Sequence, residues 1–207
     1  MTLLEFLDYA SVFVFALTGA LVASRAQLDI VGFVFIACLT SVGGGTVRDV
    51  ILNRESVFWV DNPGYLGVAT FAAVLVFFTA HLLESRYNTI RWLDACALAV
   101  AVPAGVAVAL ALGQPAAIVL IMGVATGCFG GLMRDVVCNE VPLVLKQGEL
   151  YVTCAFAGSA AALVSVWLGL ALPLALFLCA GVVFALRAGS LLLGWRLPVY
   201  KSYPPRQ

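Results

Sequence analysis

The chain has 207 residues, of which 63% are hydrophobic and 11% charged, and its mean hydropathy is +1.08. An ordinary soluble domain carries about 25% charged residues, so this composition marks an integral membrane protein. Eleven basic residues balance eleven acidic ones, and that zero net charge gives no footing for nucleic-acid binding.

Taken in order, the apolar runs predict an all-α integral membrane protein with seven transmembrane helices. The first span runs from about Leu7 to Ser24 and lacks the basic lead of a cleavable signal peptide, so it is expected to be retained. Arg25, Gln27 and Asp29 mark a tight loop. The second span, about Ile30 to Asn53, contains Gly43-Gly44-Gly45. Arg54 to Gly64 reads as a polar loop with Trp59 as an interfacial aromatic. The third span covers about Tyr65 to Leu83, with the lone histidine, His81, near its end. Glu84 to Arg91 is the most polar internal stretch and is read as the hinge between two halves. The fourth span, about Leu93 to Leu112, tolerates Pro103, and Gly113-Gln114-Pro115 makes a turn. The fifth, about Ala116 to Asn139, holds Gly130-Gly131. After the loop from Glu140 to Glu149, the sixth span covers about Leu150 to Gly169. The seventh runs from Pro173 to about Leu193, with Arg187 expected to snorkel to the interface. Trp195 to Gln207 is a basic tail. The six cysteines sit singly in apolar runs and read as small buried hydrophobes.

Sliding the chain on itself by 86 residues aligns Leu7-Asp8 with Leu93-Asp94, Gly19 with Gly105 and Thr40 with Thr126. It also aligns Gly44-Gly45 with Gly130-Gly131, Arg48-Asp49-Val50 with Arg134-Asp135-Val136, Asn53 with Asn139 and Tyr65 with Tyr151. In all, 15 of the 69 ungapped pairs from residue 7 to 75 are identical, and the polar identities cluster, so this is a repeat rather than shared apolar composition. Residues 1–86 and 87–170 then form two three-helix repeats, 171–194 the seventh helix and 195–207 the tail. An odd number of spans per repeat turns the second upside down, the inverted arrangement common in transport proteins. Counting Lys and Arg by side gives nine cytoplasmic against two outside if the N-terminus is outside and the C-terminus cytoplasmic.

Adjacent glycines within a span are expected to bend or unwind the helix, and irregular backbone at this depth survives only against protein or a watery cavity. The same glycines also serve close helix packing in many bundles. Ionisable groups within spans usually face the interior or a solute path. Gly43, Gly44, Gly45, Gly130 and Gly131 are therefore the candidate kink and pore elements. Arg48, Asp49, Arg134 and Asp135 are candidate pore-lining or gating groups, whose alternative role is to hold the kinks as ion pairs. Asn53 and Asn139 join them, with helix C-capping as their other role. Thr40, Ser41 and Thr126, one turn earlier, either coordinate a cation or bond back to their own helix. No phosphate loop, metal-ligand spacing or Ser/His/Asp set argues for an enzyme, a cofactor or a resident metal.

These motifs, Gly43 to Asp49 and Gly130 to Asp135 in a seven-span chain, resemble a prokaryotic member of the trimeric intracellular cation (TRIC) channel family, over about Leu7 to Leu193. The resemblance implies a homotrimer among membrane lipids, with a pore in each subunit between the kinked second and fifth helices, passing monovalent cations, chiefly K+, with Na+ as a second permeant ion. Unlike animal members, the chain lacks a long Lys-rich tail, and Phe129 stands where the first copy has Gly43. Similar bacterial two-repeat proteins are described as glycine transporters, so a carrier for a small amino acid is the alternative. A compact chain of this kind suits a bacterial inner membrane.

Overall fold

The computed structural model describes residues 2–82, 86–146 and 150–198. Among the described residues there are eight α-helices and no strand: α1 (Leu3–Arg25), α2 (Ile30–Ile51), the single turn α3 (Phe58–Asp61), α4 (Gly64–Thr79), α5 (Arg86–Ala111), α6 (Ala116–Val137), α7 (Val152–Trp167) and α8 (Leu172–Leu193). Short 3-10 turns follow α4 at Ala80–Leu82 and precede α7 at Leu143–Leu145. Six of the helices are long and apolar enough to cross a membrane, which makes this an all-helical membrane protein. The expected count of seven is not reached on length. α7 has 16 residues, a rise of about 24 Å against a hydrocarbon layer of about 30 Å.

Local chemistry fixes the helix starts. Thr2 and Glu5 close a capping box on α1, the Glu5 N–H donating to Thr2 Oγ1 at 3.2 Å and the Thr2 N–H to Glu5 Oε2 at 2.7 Å. Asp29 caps α2 by accepting the Gly32 N–H at 2.8 Å. Large apolar side chains such as Phe71, Phe78, Trp167 and Phe177 stay exposed, as a lipid-facing surface requires. One core joins α1, α2 and α4, and a second joins α5 to α8. Packing of α1 on α5 and of α2 on α6 unites the two.

Helix direction follows from what the ends touch. Leu4 and Asp8 at the start of α1 share a cleft with Val108 and Leu112 at the end of α5. At the opposite end of the molecule, Arg25 at the end of α1 lies over the ring of Tyr87 at the start of α5, 5.2 Å from its centre. The two helices therefore run antiparallel.

Several sequence expectations are corrected. α2 and α6 continue as α-helix through Gly43–Gly45 and Gly130-Gly131, with no unwound turn. An unwound turn would free carbonyls at membrane depth; the helix keeps them paired, and the missing side chains serve helix contact instead. Most of the expected hinge, from Arg86 to Arg91, is helix, because α5 already begins at Arg86; residues 83–85 lie outside the described residues. The expected polar loop from Arg54 to Gly64 contains the turn of α3, from which the Trp59 indole N–H donates to Thr46 Oγ1 of α2 at 2.9 Å. Arg187 does not snorkel: it is fully buried. The basic tail begins by folding back, the Trp195 ring lying against Gly189, while 199–207 lie outside the described residues.

Two further glycines set the packing within each core. A Cβ on Gly19 would lie 2.6 Å from Thr40 Oγ1 and 2.8 Å from the Ile36 carbonyl oxygen, and one on Gly105 would lie 2.5 Å from the Met122 carbonyl oxygen. Gly105→Ala is expected to cost about 1–3 kcal/mol, read as a lower melting temperature in detergent; unchanged melting would show that α5 and α6 are not held this close.

Candidate functional site

Near the C-terminal end of α2, Arg48 turns inward and is wholly buried. Its Nε donates to Asp49 Oδ1 at 2.7 Å and its Nη1 to Asp8 Oδ1 of α1 at 3.1 Å. Asp49 also accepts the Arg54 guanidinium at 3.3 Å, and through Oδ2 the backbone N–H of Phe58 at 2.9 Å. The carboxylate thus pins the start of α3 while balancing two cations. Charge-assisted bonds in so dry a setting are strong, and only such pairing makes the buried charges tolerable.

The same construction recurs 86 residues later. Arg134 Nε donates to Asp135 Oδ1 at 2.7 Å, and Nη1 donates to Asp94 Oδ1 at 3.0 Å and to Thr18 Oγ1 at 2.9 Å. Asp135 Oδ2 accepts the Leu143 N–H at 2.9 Å, playing the part of the Phe58 N–H one residue out of the repeat register. Gly131 leaves room here: a Cβ on it would stand 3.3 Å from the Tyr151 hydroxyl and 3.7 Å from Asp94 Oδ1.

Between the two clusters α2 crosses α6. A methyl on Gly44 would run into the Thr126 carbonyl oxygen, and one on Gly130 into that of Thr40. Gly43 faces Met133 Sδ and Gly130 Cα, and Gly45 faces the Phe58 ring. The crossing therefore leaves no room for a side chain at Gly44 or Gly130.

The other candidates have local duties. Thr40 donates to the Ile36 carbonyl at 2.6 Å, Thr126 to that of Met122 at 2.7 Å and Ser41 to that of Cys38 at 3.1 Å, so all three bond back to their own helices. Asn53 and Asn139 are exposed and hold φ of 50° and 54°, just past the ends of α2 and α6. The following N–H groups, of Arg54 and Glu140, donate to the Asp49 and Asp135 carbonyls at 3.0 and 2.8 Å, which makes these asparagines C-caps in the left-handed region. Asn139→Gly is therefore expected to leave stability within a few tenths of a kcal/mol, whereas Asn139→Val costs about 1–2 kcal/mol. Equal melting of the two variants would contradict the capping role.

Asp8 and Asp94, the second partners of the arginines, were not among the sequence candidates. Their signal was present in the alignment of Leu7-Asp8 with Leu93-Asp94, but each sits at a span's start, where an acidic residue reads as an end marker. Tyr65 and Tyr151, also aligned by the repeat, were missed in the same way, and Arg187, on a helix outside the repeat, reads in sequence as an interface residue. The environments of the two aspartates differ. Asp8 lines a cleft of about 320 Å³ with Glu5, Arg54, Asp61 and Tyr65, and is 9% exposed, while Asp94 is 0% exposed.

Comparison with known proteins places this arrangement. A family model described as "Glycine transporter" matches residues 5–81 and again residues 91–167, two matches in the same 86-residue register. A membrane protein of Vibrio cholerae is 40% identical over 162 residues, 76% of this chain and 66% of that protein, so the chain spans just under two thirds of its length. An inner membrane protein of Escherichia coli is 38% identical over 160 residues, 75% of each chain. Among solved structures, one described as the TRIC trimeric intracellular cation channel orthologue from Rhodobacter sphaeroides superposes with a TM-score of 0.90 at 42% identity, covering 94% of this chain and 100% of that one. The chain therefore belongs to the membrane-protein family of the glycine-transporter model, the same family as the Rhodobacter TRIC orthologue.

Proposed function

We propose that the chain is a channel for monovalent cations, potassium foremost and sodium second, with its path inside each subunit between α2 and α6. The observation that carries this is the cleft over Asp8: an open, acid-lined mouth whose floor is a buried charge cluster, with a second cluster of the same design at the other end. Its full-length relative of known structure is described as a cation channel orthologue. Cations gather at Glu5, Asp8 and Asp61, since three carboxylates against the one guanidinium of Arg54 leave the mouth negative on balance, and a negative mouth raises the local cation concentration. Onward passage requires α2 and α6 to part at Gly44 and Gly130. Parting leaves the Thr40 and Thr126 carbonyl oxygens uncovered by any side chain, the kind of dipole that replaces hydration water without binding too tightly.

The wider assembly proposed is a homotrimer in a bacterial inner membrane. Seven helices cross, α7 included, and residues 1–86 and 87–170 act as inverted halves. Residues 171–194 are the added helix and 195–207 a cytoplasmic tail, with the N-terminus outside. The antiparallel course of α1 and α5 supports the inversion, and the inner-membrane relative supports the location.

A carrier for a small zwitterion such as glycine is the second reading. Arg48 Nη2 is buried without a hydrogen-bond partner among the described residues, a donor that a carboxylate would satisfy while Asp8 held the ammonium group. The doubly matched glycine-transporter model agrees with it. Purified protein in a planar bilayer under a K+ gradient separates the two. Unitary currents reversing toward the potassium equilibrium potential establish the channel, saturable uptake of labelled glycine without unitary currents establishes the carrier, and neither signal removes both.

A further inference from the structure

We infer that α8, the helix outside the 86-residue pattern, is a latch that holds the Asp94 end of the molecule shut, with Arg187 as the positioning residue that works through Tyr151. In the first half, two carboxylates, Asp8 and Asp49, meet two guanidiniums, Arg48 and Arg54. Arg54 comes from a loop and its side chain is 33% exposed. The residue 86 positions beyond it is Glu140, which is engaged 3.3 Å away with Arg25 instead. The second half takes its additional guanidinium from α8: the Arg187 Cζ sits 4.8 Å from the centre of the Tyr151 ring, and Nη1 donates to the Leu150 carbonyl at 3.4 Å.

Ser190, one turn on, fastens the same segment. Its Oγ accepts the Leu150 N–H at 3.2 Å and donates to the Trp195 carbonyl at 3.1 Å, and the Trp195 ring closes over Gly189. Leu150-Tyr151 is thus gripped by one helix through a cation–π contact and two hydrogen bonds. The outcome separates the two ends. Tyr65, the counterpart of Tyr151, has no guanidinium over its ring among the described residues: it stacks on Tyr9 with centroids 4.1 Å apart, lies edge-on to Phe58 at 4.9 Å and borders the open cleft. Both tyrosines are buried, at 3% and 2%, but the aspartates beside them differ: Asp8 is 9% exposed at the cleft, and Asp94 is sealed at 0%. A loop-borne arginine leaves its mouth accessible to solvent, whereas a helix-borne one closes it, and opening that end requires α8 to release Tyr151.

Cys128 on α6 reports on the sealed end, being 5% exposed and within electrostatic reach of both Asp94 and Arg187. With Cys38, Cys96, Cys138, Cys154 and Cys179 replaced by alanine, the full chain in proteoliposomes is treated with a membrane-impermeant, positively charged methanethiosulfonate. Labelling of Cys128 is expected to be slow. Arg187→Gln is expected to raise its rate about tenfold, the population shift that loss of a charge-assisted contact permits. Arg187→Lys, which keeps a cation over the ring, restores the slow rate. Ser190→Ala, which frees the Leu150 N–H without changing any charge, raises the rate in the same direction and carries the test if Arg187→Gln does not fold. Unchanged labelling in Ser190→Ala and Arg187→Gln, or labelling in Arg187→Lys as fast as in Arg187→Gln, overturns the latch. Only the identification of opening with conduction rests on the channel proposal. Latch-dependent labelling in a protein that passes no current would sink the channel and leave the latch, and currents with unchanged labelling would do the reverse.

Discussion

Alanine at Gly44 or Gly130 is expected to destabilise the protein by about 3 kcal/mol, whereas alanine at Gly131 is expected to be nearly neutral. The contrast comes from what each new methyl meets. At Gly44 and Gly130 it meets a backbone carbonyl of the facing helix, which moves only if the whole helix moves. At Gly131 the nearest atom is the Tyr151 hydroxyl at 3.3 Å, the tip of a side chain that yields by a few tenths of an ångström. Replacing helical glycine by alanine returns about 1 kcal/mol of propensity. That gain offsets a small strain at Gly131 and leaves the clash at Gly44 dominant. Melting in detergent should place the Gly44 variant roughly 5–10 °C below wild type, with the Gly131 variant alongside wild type. Equal melting of Gly44→Ala and wild type would mean that α2 and α6 do not meet at the glycines.

Asp94→Asn is expected to be the costliest single change among the aspartates, at about 3–5 kcal/mol, because it strips a fully buried guanidinium of one of its two carboxylates. Asp8→Asn removes the equivalent partner of Arg48 but should cost only about 1–2 kcal/mol, since water in the cleft can take the vacated position. Adding Arg134→Gln and Asp135→Asn to Asp94→Asn should recover part of the loss, since the neutral set no longer leaves a charge buried, whereas Arg134→Gln alone would strand Asp135. Denaturant titration in mixed micelles reads all three. A triple variant no more stable than Asp94→Asn, or an Asp8 variant as damaged as the Asp94 variant, would show that the two clusters are not charged and solvated as the fold shows.

The sequence made the repeat legible because identity at one fixed offset fell on polar residues, which apolar composition cannot imitate. It also held Arg48-Asp49 and Arg134-Asp135, the asparagine C-caps and the back-bonded threonines, each a local arrangement. What lay beyond it was the choice between uses that share one residue type. Glycine permits both an unwound turn and a close crossing, and which one holds at Gly44 and Gly130 depends on Thr126 and Thr40, more than 80 residues away in the chain. Arg187 near the end of an apolar helix satisfies a snorkelling pattern as well as an inward one, since hydropathy does not separate lipid from protein interior. Asp8 and Asp94 become site residues only once α1 and α5 are folded against α2 and α6.

Whether the buried charge clusters border the path of the ion is read by single-channel conductance of Asp8→Asn against wild type across a range of KCl concentrations. If Asp8 at the cleft floor concentrates cations, the variant conducts less than wild type at low salt, and the two converge as salt shortens the Debye length from about 30 Å at 0.01 M to about 3 Å at 1 M. Identical conductance of the two proteins at every concentration would put the cluster off the path.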